Sequence, residues 1–193
     1  PAEAVTALSE ALALYDGTTG QESLRQRTAL RMLRARTLTQ IGQLSAAIED
    51  LQVITGQQPD NLEALVTLAS LYASAERWES LHGIIAPLAA QPQLQDIALY
   101  LQGRVALAKG RAGTARSKFE AALDLLPDGP SRLRASLHFY RGWCLDQLGR
   151  HDEGSVEIRK ALDADFRPET GDEAILASRT LLGAKQIQRA ITQ

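Results

Sequence analysis

The sequence predicts an all-α fold, a solenoid of stacked helix pairs, on three observations. Breaks in the pattern recur at a fixed interval: Gly42, Glu76 and Gly110 stand 34 residues apart, and Gly149 follows after 39. Around each break the same apolar spacing returns. The composition is dominated by Leu and Ala, both strong helix formers, with 45% hydrophobic residues. A period in this range marks a unit of two elements that cannot bury its own seam and must stack on its neighbours.

Taken in order, residues 1–27 hold a partial repeat and an extension. Ala4, Leu8 and Ala11 repeat the spacing of Ala115, Phe119 and Ala122, so a second helix is expected here without its first. The chain begins at Pro1 with no signal-peptide pattern, which reads as an excised piece preceded by further repeats. Gly17 and Gly20 mark a turn. Residues 28–61 form the first full pair, through Ala35, Leu38 and Gly42, then Ala47, Leu51, Ile54 and Pro59. Arg31 and Arg34 fall where the other pairs are mostly apolar, which predicts a rotated helix or an array edge.

Residues 62–95 form the second pair: Leu65, Leu68, Ala69 and Tyr72, then Trp78, Leu81, Ile85 and Leu88, with Glu76 in place of glycine. The clearest unit is 96–134. Leu99, Gly103 and Ala106 share one helical face, and Gly110 ends the helix in a left-handed turn. Ala115, Phe119, Ala122 and Leu126 share the next face until Pro127. The turn from Pro127 to Ser131 adds five residues. Residues 135–168 repeat the pattern through Gly142, Leu145, Gly149, Ile158 and Ala161, with Gly154 in a place its neighbours give to Ala or Leu. In 169–193 a last helix runs from Asp172 to Ile191 with Ile175, Arg179 and Leu182 on one side. It is read as a cap over the fourth seam, or as the start of another repeat.

These residues resemble the tetratricopeptide repeat family over most of the chain. The resemblance implies a right-handed superhelix whose first helices line a concave groove where partners bind. It assigns Tyr72, Trp78 and Phe119 to packing and places two rungs in the groove: Met32, Val66, Tyr100 and Phe139, then Arg36, Ser70, Arg104 and Trp143. Aromatics and Arg are enriched at binding hot spots. The expected ligand is an extended or helical protein segment with apolar anchors and an acidic group. The competing reading packs Tyr100, Phe139 and Trp143 on each other or under the last helix. A chaperone-type carboxylate clamp of Lys, Asn and Arg is absent, since the corresponding positions include Met32, Arg36, Thr67, Ile97 and Leu101, and the single asparagine, Asn61, lies in a turn.

Other chemistry finds little support. No apolar run approaches the roughly 20 residues of a membrane span. The single cysteine, Cys144, excludes an intramolecular disulfide and fits a reducing compartment; cytoplasm is favoured, and periplasmic domains without disulfides exist as well. His82, His138 and His151 lack metal-ligand spacing, and His138 with Cys144 reads as packing rather than a nucleophile–base pair. Asp163-Ala164-Asp165 opens like a calcium loop but meets Pro168 where glycine belongs. Five arginines, Arg25, Arg27, Arg31, Arg34 and Arg36, could face phosphate, yet a net charge of -2 and no interleaved aromatics favour a solvated helix paired with acids. The expectation is a bacterial, non-catalytic scaffold without cofactor or metal. The alternative is a docking segment of a larger enzyme or export machine acting by self-association.

Overall fold

The computed structural model describes the backbone over residues 2–191 and side chains up to Gly183. Pro1 and residues 192–193, the ends of the first and last predicted spans, lie outside the described residues. Helices follow one another without a strand among the described residues: α1 (Ala2–Ala13), α2 (Gln21–Gln40), α3 (Leu44–Gln57), α4 (Leu62–Ser74), α5 (Trp78–Ala89), α6 (Gln95–Ala108), α7 (Ala112–Leu125), α8 (Arg132–Gln147), α9 (His151–Asp163) and α10 (Gly171–Ile191). A 3-10 turn, Pro92–Leu94, leads into α6. The chain divides into two compact units, Pro1–Arg77 and Trp78–Gln193.

All the breaks read from the sequence stop a first helix in one way. Gly42, Gly110 and Gly149 have φ of 78°, 70° and 79°. Glu76 takes φ 53° at the equivalent place despite its Cβ. Each is followed by paired backbone bonds that satisfy the last carbonyls: Gln43 N to Leu38 O at 2.9 Å, Arg77 N to Tyr72 O at 2.8 Å, Arg111 N to Ala106 O at 2.9 Å and Arg150 N to Leu145 O at 2.9 Å. This is the Schellman arrangement. Part of the inserted segment before α8 goes into the helix: Ser131 caps it by accepting from Arg134 N at 3.1 Å, so α8 starts three residues before 135.

In the first unit the core is Met32, Ala35 and Leu38 of α2 against Ala47, Leu51 and Ile54 of α3, with Leu65, Leu68 and Ala69 of α4. The predicted rotation of α2 is not seen. Ala35 stays in the seam at 1% exposure, and Arg34 turns its charge onto buried Asp50 with two bonds, Nε to Oδ2 at 2.8 Å and Nη2 to Oδ1 at 2.6 Å. In the second unit Phe119, Leu137, Phe139 and Ile158 are fully buried. Gly103 and Gly142 are required by packing there. A methyl group on Gly103 would lie 2.3 Å from Phe119 Cε1, and one on Gly142 would lie 2.7 Å from the Gly154 carbonyl oxygen.

Candidate functional site

The candidate site consists of the first-helix rungs, and each unit presents its own set. In the first unit Met32 turns into the core at 8% exposure, which corrects its placement in a groove. Its spacing from Ala35 and Leu38 puts it on the packed side of α2. Arg36 is exposed and pairs with Glu63 at the start of α4. Val66 is half-buried and Ser70 exposed, its hydroxyl donating back to the Val66 carbonyl at 3.0 Å. Three of these four side chains therefore remain within reach of a ligand.

The second unit differs. Phe139 is fully buried: it stacks on Phe166 at 4.2 Å between centroids and stands edge-on to Tyr140 at 5.5 Å and to Trp143 at 6.2 Å. For Phe139 the packing alternative holds, because the segment after α9 folds back over it. Trp143 is half-buried, with Tyr140 stacked against it at 6.2 Å. Tyr100 is half-buried beside Phe119 and Tyr140.

Arg104 is also buried, at 8% exposure, so it does not present a free cation. Its guanidinium lies 4.2 Å from the Tyr140 ring centroid and 5.6 Å from that of Trp78, and its Nη1 donates to the Tyr100 hydroxyl at 2.9 Å. Such cation–π contacts gain strength once desolvated. Its counter-charge is Glu173 of α10, with Nη2 3.7 Å from Oε1. Burial, above all, holds the Tyr140 phenol protonated, well above its ordinary pKa, and it donates to the same carboxylate.

Glu173 was not singled out in the sequence. The signal was there: Thr170-Gly171-Asp172-Glu173 has the spacing of a helix-capping box. Glu173 Oε2 accepts from Glu169 N at 2.7 Å and Thr170 N at 3.2 Å, while Thr170 Oγ1 accepts from Glu173 N at 3.3 Å. One carboxylate thus starts α10 and ties it to α6 and α8. The capping half is local; the contact with Arg104 is not.

A second buried carboxylate, Glu157 of α9, is flanked by His138 Nδ1 at 2.7 Å, Arg141 Nη2 at 2.5 Å and Lys160 Nζ at 2.8 Å. Burial pushes this carboxyl upward, but the bonds from His138 and Lys160 and the charge of Arg141 win and hold it at about 2. His138 is therefore engaged with Glu157. Cys144 is fully buried, and burial pushes its thiol up to about 12, which leaves no thiolate near neutral pH. The arginine cluster is largely committed as well: Arg34 to Asp50, Arg36 to Glu63 and Arg25 to Glu22. Among the described residues no group of His, Cys, Asp or Glu could hold a metal, and no helix is long and apolar enough to cross a membrane.

Comparison with known proteins adds the following. The model of a family described as tetratricopeptide repeat matches residues 86–130 and 100–165. Cellulose synthase operon protein C of Pseudomonas fluorescens (strain SBW25) is 30% identical over 133 residues, 68% of this chain; the chain spans 10% of that relative's length. A tetratricopeptide repeat protein from Parabacteroides merdae ATCC 43184 matches with a TM-score of 0.65 at 18% identity, over 96% of this chain and 69% of that one. MamA from Desulfovibrio magneticus RS-1 matches with a TM-score of 0.58 at 13% identity, over 84% and 95%. At such identities the structural likeness is one of fold.

Proposed function

The chain belongs to the tetratricopeptide repeat family, and we propose that it is a non-catalytic scaffold holding a protein or peptide segment against its first helices. The observation that carries this reading is Trp143, a half-buried indole fixed on a floor of packed rings, Phe139 and Tyr140. A rigid aromatic at a surface supplies contact area at low entropic cost. The first unit, taken by itself, offers Arg36, whose counter-ion Glu63 is itself exposed; exchanging one exposed partner for another costs little, so it is a cation for an acidic group on that unit. Val66, half-buried, and Ser70, exposed, lie on α4 of the same unit. Arg104 and Phe139 support the site from within, and Met32 has no part in contact.

The test is selection of peptides from a random display library on the immobilised chain. Winners should carry aromatic or aliphatic anchors with an acidic residue, and Trp143→Ala should weaken the selected peptides at least tenfold without loss of helicity. Peptides that bind Trp143→Ala as well as wild type would sink this reading.

The likeness to a cellulose synthase operon protein supports a second reading, in which the chain is a docking segment of a much longer machine. Replacing the matching segment of that relative with this chain should preserve cellulose output. Loss of output despite normal protein levels would count against it.

A further inference from the structure

Three arginines of α2, Arg27, Arg31 and Arg34, share one stripe at intervals of about a helical turn, and they are not held alike. Arg34 is fully engaged. Its fork donates to both Asp50 oxygens, and its Nη1 donates to the Ser9 hydroxyl of α1 at 2.9 Å. Arg31 approaches the same carboxylate only with Nε, 3.8 Å from Oδ1, which is beyond hydrogen-bond distance. Arg27 meets no acid or other acceptor among the described residues. Both side chains are half-buried, and in both Nε is covered by protein without making a hydrogen bond. A covered donor without an acceptor costs about 1–3 kcal/mol and calls for a physical reason.

The register counterparts in α8 show the same stripe with its charges satisfied. They stand 107 residues on: Arg134, His138 and Arg141, with Glu157 as the counterpart of Asp50. Arg134 and Arg116 also have a covered Nε, but each has a partner. Arg134 gives Nη2 to the carbonyls of Leu126 and Pro127 at 3.3 and 2.9 Å, and Arg116 lies 3.5 Å from Glu120. His138 bonds Glu157 directly. The cavity beside Arg141 balances three arginines, with Arg116 and Arg150, against Glu120, Glu153 and Glu157. On the α2 stripe three positive charges stand against the single carboxylate of Asp50, which leaves two in excess. We infer that Arg27 and Arg31 are the arms of a binding site for a phosphate group, free or as a monoester. Its charge of about −1.5 to −2 near pH 7 matches that excess, whereas one carboxylate would cancel half of it. A guanidinium also pairs with two phosphate oxygens at once. Nucleic acid fits less well. A diester row asks for a line of cations, and Arg25 and Arg36, which flank the stripe, are paired with Glu22 and Glu63.

The experiment follows the arginine Nε–H resonances by NMR while inorganic phosphate is added at constant ionic strength, with chloride as the control. The resonances of Arg27 and Arg31, identified by their loss in Arg27→Gln and Arg31→Gln, should shift saturably, and that of Arg34 less. Each variant should weaken phosphate binding about tenfold or more, the share of one charge-assisted pair. Neither arginine holds a structural partner closely, so the unfolding midpoint should not move; the wild-type titration carries the test in either case. Phosphate acting no differently from chloride would overturn the inference. Equal weakening by Arg25→Gln would also overturn it, because the attraction would then be diffuse. Tighter binding of N-acetyl-phosphoserine amide than of the free ion assigns the site to a phosphorylated protein segment, and the reverse order assigns it to phosphate itself. Tighter binding of oligouridylate would overturn it in favour of nucleic acid, and equal binding of acetate in favour of a carboxylate. Trp143→Ala should leave the titration unchanged, so this inference and the peptide-binding reading fail separately.

Discussion

The α6–α7 and α8–α9 pairs close the same kind of seam by different means. In α6–α7 an aromatic wedge does it: the Phe119 ring fills the space that Gly103 leaves open. In α8–α9 glycines face each other, Gly142 against Gly154, so the backbones approach directly, and Ile158 lies against Gly142 beside that contact. What α8–α9 adds is Glu157, at 5% exposure, held by Arg141, His138 and Lys160. The α2–α3 pair of the first unit uses the same ionic device. Arg34 lies 16 residues before Asp50, as Arg141 lies 16 before Glu157. A repeat position that is apolar in one pair can be a charge in another, provided its opposite number changes with it.

The largest effect should come from removing that carboxylate. Glu157→Ala leaves Arg141, His138 and Lys160 facing one another and should cost about 3–4 kcal/mol by denaturant unfolding. A loss below about 1 kcal/mol would mean that the seam is held by shape alone. Next come the glycines. Gly142→Ala forces backbone from backbone and should cost about 2–3 kcal/mol, near the upper end for overpacking. Gly103→Ala should cost less and be partly rescued by Phe119→Leu, because a side chain can yield where a carbonyl cannot. Rescue of Gly142→Ala by trimming Ile158 would contradict the distinction.

Acid should separate the two pairs without mutation. The Glu157 carboxyl sits at about 2, below its ordinary 4.5. Its contribution to stability is thus present above pH 4.5 and fades as the pH falls through that value toward 2. Hydrogen exchange should show α8–α9 amides losing protection in this window while α6–α7 amides change less; Glu157→Gln should flatten the difference. The smallest effect is at the break between α4 and α5. Glu76→Gly relieves a side chain at φ 53° and should stabilise the chain by about 1 kcal/mol. No gain in denaturation midpoint would show that the glutamate is held there by other contacts.

Much of this was legible in the chain itself. Glycine marks at Gly42, Gly110 and Gly149, with small and large apolar residues at helical spacing, act within a single helix or turn. Local sterics alone determine where helices stop and which face is apolar. The contact role given to Met32, Arg104 and Phe139 was not decided at that level. Phe139 is covered by Phe166, and Arg104 finds its counter-charge on Glu173, 69 residues away. Helical spacing says which way a side chain points, but only packing says what lies over it. The ionic seams belong between these cases. Arg34 and Arg141 look out of place alone and become ordinary once Asp50 and Glu157 stand opposite, because burying a charge is tolerable only when its partner is buried with it. The sequence alone determined the repeat, its breaks and its apolar faces; the tertiary structure decided which of those faces stay open to a partner.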